Sequence, residues 1–228
     1  AICSDTDESA LAGPTQFRTT CGVTTNLPYI EDFDSYGTGP TAFPSCWERV
    51  TYTSGSSIWP SIVSVNSTSS PNSLRFQSAV GTPTYAISPA FAEDINNLRV
   101  SFMLKKEGTS SGTIDVGVMS DATDTSTFEL VHTIDPADTN HHEYIFNLNQ
   151  TTLSGPNNYI AIRHNSASSI WYYWLDDFVV DLVPTCLEPT NLTVGTVTET
   201  TADVSWTEAE DATQWEVTYG AAGFDPET

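Results

Sequence analysis

The stretch Trp171–Asp181, WYYWLDDFVVD, decides how this chain folds, because it joins an aromatic run to two adjacent acids and an apolar run. Trp, Tyr, Phe and Val favour a half-buried pleated surface, so the stretch predicts a β-strand. A carboxylate buried in such a strand needs a counter-charge, strong hydrogen bonds or a metal ion. Some other part of the chain must therefore stabilise Asp176, Asp177 or both.

Outside this stretch, the sequence consists of short alternating or β-branched runs between clusters of Gly, Pro, Asn and Ser. Apolar residues at helical spacing are nearly absent. Besides Trp171–Leu182, the predicted strands are Pro28–Phe33, Trp47–Thr53, Ser61–Val65, Ser73–Gln77, Thr84–Ser88, Leu98–Lys105, Thr113–Met119, Phe128–Thr133, His142–Asn147 and Asn158–His164. Many short strands separated by turn residues indicate an all-β sandwich or barrel.

The balance of charge excludes several classes of partner. The 228 residues include 29 acidic and 7 basic side chains, a formal net charge of −22. Phosphate binding needs Lys and Arg on one face, so neither nucleic acid nor anionic lipid is an expected partner. No apolar run approaches the ~20 residues that span a bilayer, so no membrane insertion is expected. Acidity on this scale suits a soluble secreted protein.

No signal peptide pattern is visible at Ala1, so we expect a mature chain, a cytosolic chain or a piece of a longer one. The four cysteines are Cys3, Cys21, Cys46 and Cys186. They form no CxxC pair and have no His at metal-ligand spacing, which argues against a zinc site. An even number of cysteines in a Ser/Thr-rich chain favours disulfides in an oxidising compartment, although spacing alone leaves their pairing open.

The C-terminal end differs from the middle of the chain. Beyond a break at Pro184–Pro189, apolar residues alternate in Leu192–Val197, Ala202–Trp206 and Trp215–Tyr219. These three runs resemble strands A, B and C of a fibronectin type III domain, with Trp206 as the buried Trp of strand B. Such a domain needs ~100 residues, so residues 185–228 are expected to form its N-terminal part.

The N-terminal end supplies a similar pattern. Residues 1–21 resemble the last two strands of a fibronectin type III module, with Ala1–Cys3 ending strand F and Pro14–Thr19 forming strand G. We therefore expect three domains: a partial module at 1–21, a whole module at 22–184 and a second partial module at 185–228. An alternating array of this kind is typical of a stalk or adhesin.

The central module resembles the MAM-like jelly rolls known as cleaved-adhesin domains, found in secreted bacterial proteins such as the gingipain and haemagglutinin adhesins. The resemblance implies a two-sheet jelly roll on an extracellular or bacterial cell-surface protein. It also implies calcium binding and a role in adhesion or glycan binding without catalysis. The matching segments, in family order, are Pro28–Ser35, Pro44–Trp47, Tyr85–Phe91, Leu98–Leu104, Val116–Phe128, Tyr159–His164 and Tyr173–Val180.

The resemblance also implies how the cysteines pair. Cys21 and Cys46 bracket the opening strand of the jelly roll, so they are predicted to form a disulfide. In fibronectin-like modules of this type, a Cys before strand A lies near one at the end of strand F. Cys3 and Cys186 are therefore expected to find partners outside this segment.

Calcium is the predicted stabiliser of the acidic pair. The first and last strands of a jelly roll are usually neighbours, which would bring five carboxylates together: Glu31, Asp32, Asp34, Asp176 and Asp177. Calcium takes 6–8 oxygen ligands in irregular geometry. We expect Asp34 and Asp177 to bind it with help from Glu31 or Asp32, because alternation keeps those two from facing the ion together. The alternative is a solvated acidic edge.

A second ion near Asp121 and Asp124 is conceivable, although two acids in a loop more often form a turn. Enzyme motifs are weak. Gly108–Gly112 matches G-x-S-x-G but lacks the strand and helix that a nucleophile elbow needs. His141, His142 and Glu143 lack the HExxH spacing. No catalytic site is predicted.

Two functional classes remain open. One is a non-catalytic adhesion or structural module of a large bacterial surface or secreted repeat protein, whose partners would be neighbouring modules, glycans or host or neighbouring cell-surface proteins. The other is a carbohydrate-binding module of a secreted hydrolase. Sugar binding needs exposed aromatic platforms. The candidates are Trp59, Trp171, Tyr172, Tyr173 and Trp174; alternation places Trp171 and Tyr173 on one face of the strand and Tyr172 and Trp174 on the other.

Overall fold

The computed structural model separates the chain into two compact units, Ala1–Leu182 and Val183–Thr228. The structure describes residues 2–4, 7–8, 21–50, 52–53, 57–58, 60–79, 81–108, 112–165, 171–184, 189–208 and 213–220. Within these residues, no helix is long and apolar enough to cross a bilayer.

The regular secondary structure of the described residues is almost entirely β-strand. The strands are β1 Ile2–Ser4, β2 Asp7–Glu8, β3 Tyr29–Glu31, β4 Glu48–Val50, β5 Tyr52–Thr53, β6 Ser57–Ile58, β7 Ser61–Val63, β8 Ser73–Ser78, β9 Thr84–Ile87, β10 Leu98–Lys106, β11 Thr113–Met119, β12 Glu129–Ile134, β13 His142–Asn147, β14 Tyr159–Asn165, β15 Trp171–Leu182, β16 Thr190–Val197 and β17 Ala202–Thr207. Two single turns of 3₁₀ helix lie at Ile95–Asn97 and Thr125–Thr127.

The first unit is a sandwich of two antiparallel sheets. Sheet I has the order β13-β10-β15-β8-β7, with β3 also paired to β15, and sheet II has the order β12-β11-β14-β9-β4. The inward side chains of both sheets form one core that includes Phe76, Val116, Ile162 and Tyr173. The predicted all-β jelly-roll sandwich is therefore confirmed. The predicted strands at 113–119, 142–147 and 171–182 keep their bounds.

Strand β15 joins the two ends of the sandwich. One of its edges pairs with β10 along nearly its whole length. On the other edge, Trp171–Leu175 pairs with β8, while Phe178–Val180 pairs with β3. The opening strand therefore lies beside the closing strand, as the sequence predicted.

The predicted disulfide is present. Cys21 and Cys46 are bonded, with their Cα atoms 5.4 Å apart and a sequence separation of 25. Because the bond closes a loop around the opening strand, it limits the conformations of the unfolded chain. Cys186 lies outside the described residues and so does the side chain of Cys3, so their pairing stays a prediction.

Removing this disulfide with the double variant Cys21→Ser/Cys46→Ser is expected to lower the free energy of unfolding by about 2–3 kcal/mol. Urea denaturation without reductant checks the value. Adding a reductant should then shift the wild-type midpoint to that of the variant. A variant as stable as the oxidised wild type would contradict the prediction.

The second unit contains a two-stranded hairpin in its described residues. Strands β16 and β17 pair antiparallel, with Val194 opposite Val204. The predicted third strand at 215–219 is wrong, because residues 213–220 adopt no regular structure. In immunoglobulin-like sandwiches the third strand belongs to the other sheet and needs different partners, which the hairpin does not supply. Trp206 is half-buried rather than buried, and its ring packs edge-on against Trp215 at 5.5 Å.

At the N-terminus, β1 and β2 form a short hairpin. The predicted strand at Pro14–Thr19 lies outside the described residues. The division into modules at 1–21, 22–184 and 185–228, and its fibronectin-like flanks, therefore stay predictions.

Candidate functional site

The aromatic run of β15 divides between two faces, as its alternation predicts. Tyr173 and Leu175 belong to the core, whereas Trp174 and Tyr172 lie on the outer face of sheet I. Trp171 is half-buried, and its ring lies over Gly108. Trp59 falls outside the described residues. Tyr172 and Trp174 therefore meet on the outer face of sheet I, where Tyr172 is half-buried and Trp174 is too buried to be the exposed platform that was predicted.

Four residues line up across this face in adjacent strands. Trp174 lies opposite Lys105 of β10 on one side and opposite Arg75 of β8 on the other. Arg75 lies in turn opposite Ser61 of β7. We call Lys105, Trp174, Arg75 and Ser61 the outer row.

Tyr172 extends the outer row towards the strand end. The guanidinium carbon of Arg75 lies 5.0 Å from the centre of the Tyr172 ring, within the range of a cation–π contact. The rings of Tyr172 and Trp174 are 6.1 Å apart and tilted by 47°. Cations and aromatic rings are thus held together on one sheet face.

Part of the outer face of sheet II is covered by the chain itself. Phe128, which follows the single 3₁₀ turn at Thr125–Thr127, packs with Tyr85 and Met119 on that face. The guanidinium of Arg163 lies 4.2 Å from the Phe128 ring and donates to Asp115. Aromatic and cationic groups on this face are therefore used within the fold.

Asp176, also on the outer face of sheet I, is held by a distant loop. Its Oδ2 accepts the backbone N–H of Thr68 at 2.6 Å and of Ser69 at 3.0 Å. Its Oδ1 accepts the N–H of Asp177 at 2.9 Å, and the residue is 1% exposed. Three backbone N–H groups therefore stabilise this carboxylate. No Lys or Arg side chain of the described residues forms an ion pair with it.

Asp177 sits where the alternation of β15 breaks. Ser101 pairs with Val179 but Met103 pairs with Asp176, so β15 carries one extra residue at this point. Asp177 takes φ +49°, a left-handed conformation that Asp tolerates better than most residues. The bulge returns Phe178 to the core and leaves Asp177 half-exposed. Simple alternation, which applies to a regular strand, therefore does not describe β15 beyond Asp176.

The acids of the opening strand are also hydrogen-bonded. Glu31, 8% exposed, accepts the Phe33 N–H at 3.0 Å and the Tyr36 hydroxyl at 2.9 Å. Asp34 Oδ1 accepts the N–H of Asn72 at 2.7 Å. Asp32 Oδ1 accepts the N–H of Asp34.

One loop serves the acids of both strands. Residues 64–72, which connect β7 to β8, supply two of the three N–H donors to Asp176 and the N–H donor to Asp34. The Asn72 amide also donates to the carbonyl groups of Phe33, Asp34 and Tyr36. Ser73 closes the loop by donating to the Val65 carbonyl. Neighbouring strands and this loop together place the acids at one end of the β3–β15 pair.

Among the described residues, no three His, Cys, Asp or Glu side chains form a group that could hold a metal ion. The oxygens of Glu31 and Asp176 already accept N–H or O–H donors, which would compete with a cation. Asp34 uses one oxygen for Asn72. The predicted calcium site, with Asp34 and Asp177 helped by Glu31 or Asp32, stays a prediction.

Burial raises the pKa of Asp176 to about 6, against hydrogen bonds from Thr68, Asp177 and Ser69 that lower it. Burial also raises the pKa of Glu31, against hydrogen bonds from Phe33 and Tyr36. An acid with a raised pKa binds more protons in the folded state than in the unfolded state. Its contribution to stability is therefore complete at low pH and is lost as pH rises through the folded pKa.

Between pH 4 and pH 7, wild-type stability is expected to fall relative to Asp176→Asn by at most about 3 kcal/mol. The variant lacks this titration, so the difference between the two unfolding free energies isolates it from the other acids. Urea denaturation of both proteins at several pH values measures the difference. A wild type that gains on the variant as pH rises would show that the N–H donors outweigh burial.

Other polar residues serve the fold. Asp121 accepts the N–H and hydroxyl of Thr123, which lowers the pKa of Asp121, and Asp124 caps the following 3₁₀ turn. They therefore form a turn, the alternative given for this loop. His164 is buried against Tyr173 at 4.9 Å. Residues 109–111 of the G-x-S-x-G motif lie outside the described residues.

The sequence pattern did not single out Arg75, Lys105 or Asn72. Arg75 and Lys105 alternate with core residues in their strands, which is a detectable signal in a chain with 7 basic residues. Asn72 carries no such signal, because its role depends on a turn 36–39 residues away.

No family model matches the chain, and no curated protein sequence matches it. The fold is similar to three solved cleaved-adhesin domains of Lys-gingipain. The K2 domain has a TM-score of 0.54 and 17% identity over 69% of this chain and 99% of that domain. The K1 domain from Porphyromonas gingivalis has a TM-score of 0.51 and 15% identity over 70% and 100%. The K3 domain from the same organism has a TM-score of 0.50 and 15% identity over 67% and 96%. The likeness establishes the fold of the sandwich.

Proposed function

We propose that residues 22–184 form a non-catalytic adhesion module of a large secreted or surface-attached bacterial repeat protein. The observation that carries the proposal is the contrast between the two outer faces of an adhesin-like fold. On sheet II, Phe128 and Arg163 pack on the sheet and Arg163 is paired with Asp115, whereas on sheet I the half-buried Tyr172 and Arg75 contact each other and Arg75 has no carboxylate partner among the described residues. Aromatic and Arg side chains are enriched where proteins bind partners.

A structural use for several of the buried or paired charged groups supports a role without catalysis. Asp115 binds Arg163, Lys106 binds Asp135, and Asp176 is held by backbone N–H groups. A catalytic acid or base must reach a substrate, and these groups are committed to the fold.

The disulfide at Cys21 supports an extracellular location, because such bonds persist in oxidising compartments. In the second unit, Leu192, Val194 and Val197 stay exposed on the hairpin. Exposed apolar strand faces favour contact with neighbouring modules of an array.

The proposed adhesion can be tested with the whole chain coupled to beads. Bead retention under flow is measured on surfaces coated with glycoproteins and with bacterial cells. Tyr172→Ala should abolish retention, whereas Tyr159→Ala, a half-buried Tyr on sheet II, should leave it intact. Wild-type beads that detach from every surface as readily as uncoated beads would contradict the proposal.

Glycan binding is the second candidate function. The observation that favours it is the half-buried ring of Tyr172, which packs beside the buried Trp174 and against the charged Arg75. Aromatic rings with a few oriented polar groups are typical of carbohydrate sites.

We also propose that calcium stabilises the module through Asp34 and Asp177. An ion at about 100 times its dissociation constant adds about 2.7 kcal/mol. The melting temperature should therefore fall by about 5 °C or more when a chelator is added. Asp34→Asn should remove this response and Asp181→Asn should keep it. A melting temperature that ignores both calcium and chelator would contradict the site.

A further inference from the structure

The outer row leaves positive charge unneutralised in a strongly acidic chain. The chain carries 29 acidic residues, and its other described cations are mostly engaged: Lys106 with Asp135, Arg163 with Asp115, and Arg49 with the Pro60 carbonyl. Within the part of the chain that the structure describes, Arg75 and Lys105 have no carboxylate within 4.0 Å. Lys105 instead donates to the side-chain oxygen of Asn66 at 3.0 Å.

The row also contains buried polar atoms without partners. The indole Nε1 of Trp174 and the Nε of Arg75 are buried and have no hydrogen-bond acceptor among the described residues. Trp174 is 8% exposed, so its N–H has lost water without gaining a partner. Ser61 Oγ, next along the row, is likewise buried and unpartnered. Such groups cost free energy unless an acceptor reaches them.

The ring of Tyr172 braces the guanidinium of Arg75. A guanidinium packed on a ring keeps its edge N–H groups directed along the sheet face, where they can bind a carboxylate with two hydrogen bonds. Lys105 adds a second positive charge on the opposite side of Trp174. Together with Tyr172, the outer row therefore combines two cations, N–H donors and two aromatic rings.

We propose that the outer row binds a carboxylate-bearing sugar, such as a uronic or sialic acid residue of an acidic glycan. The proposal rests on glycan binding as the function of this face and assigns charge selectivity to Arg75. The half-buried ring of Tyr172 favours a sugar over an acidic peptide, because it offers apolar surface beside Arg75, with the buried Trp174 packed next to it.

Because the chain has a net charge of −22, its binding of an acidic glycan depends on the salt concentration. At physiological salt the Debye length is about 8 Å, so distant acids are screened while the contact with Arg75 persists. At 0.15 M salt an acidic glycan is thus held by its short-range contact with Arg75. This contact is itself screened at about 1 M salt, so binding is weaker there.

Calorimetry on the full chain tests the proposal with two matched pairs of probes. The pairs are hexagalacturonate with its methyl ester and 3′-sialyllactose with lactose. Within at least one pair, the acidic member should bind ten times or more tightly than the neutral one. Arg75→Gln should remove that preference, and Arg75→Lys should retain part of it.

Arg99→Gln is the matched control, because Arg99 lies on the same face of β10 and its loss changes the net charge equally. Its effect on affinity should stay within a factor of two. Equal affinity for acidic and neutral members would overturn the charge selectivity while leaving glycan binding intact. No binding of either acidic probe, or equally tight binding of poly-glutamate, would overturn the proposed ligand. Melting curves of each variant show whether it is folded.

Discussion

Replacing Asp176 with alanine is expected to lower the free energy of unfolding at pH 7 by about 3–4 kcal/mol. The substitution leaves the N–H groups of Thr68, Ser69 and Asp177 without their acceptor. A buried N–H that loses its partner costs about 1–3 kcal/mol, and the loop relaxes to recover part of this. Urea denaturation measures the change, and Asp181→Ala on the same strand is the control.

Hydrogen exchange distinguishes loss of the hydrogen bonds from Thr68 and Ser69 to Asp176 from general destabilisation. The two proteins are compared under conditions that give them equal global stability. The amides of Thr68 and Ser69 should then exchange about a hundredfold faster in Asp176→Ala than in wild type. An Asp176→Ala variant as stable as Asp181→Ala, with unchanged exchange in the loop, would contradict the role given to this carboxylate.

The second large effect is expected at Gly117, where Gly117→Ala should lower the free energy of unfolding by about 3 kcal/mol. An added Cβ would overlap the Phe128 ring at Cζ and would lie 2.5 Å from the Glu129 carbonyl oxygen. The second contact is to backbone, so the β11–β12 pairing must shift to relieve it. Gly37→Ala is the control, because nothing lies within 4 Å of an added Cβ there.

The double variant Gly117→Ala/Phe128→Ala separates the two contacts. Removing the Phe128 ring should lessen the penalty of the Gly117 substitution, while the contact with the Glu129 backbone remains. If Gly117→Ala and Gly37→Ala proved equally stable in urea, the close packing of Phe128 on sheet II would be wrong.

The strands and the neighbourhood of β3 and β15 could be predicted because they follow from local patterns. Apolar alternation defines each strand, and the closing strand at 171–182 is strongly aromatic. The bulge at Asp177 could not be predicted, because alternation is the assumption used to assign faces and the bulge breaks it. The failed third strand of the second unit has a similar cause, since 215–219 alternates but gains no strand partner.

The partners of Asp176 were beyond sequence pattern for a different reason. Thr68 and Ser69 are 108 and 107 residues away from it, and both donate through backbone N–H groups that every residue carries. An acid that needs a partner can be recognised from sequence, but a backbone donor cannot. The sequence therefore predicted calcium as the partner of the acids. Only the structure shows that the loop at 64–72 donates hydrogen bonds to Asp176.

The outer face of sheet I is the centre of the functional proposal, and a glycan array with wild type, Tyr172→Ala and Tyr159→Ala tests it most directly. Wild type should bind a restricted set of glycans in which acidic sugars predominate. Tyr172→Ala should lose that set, because Tyr172 braces Arg75 beside Trp174, and Tyr159→Ala should retain it. Glycan binding that survives Tyr172→Ala but disappears with Tyr159→Ala would place the site on sheet II and contradict the account.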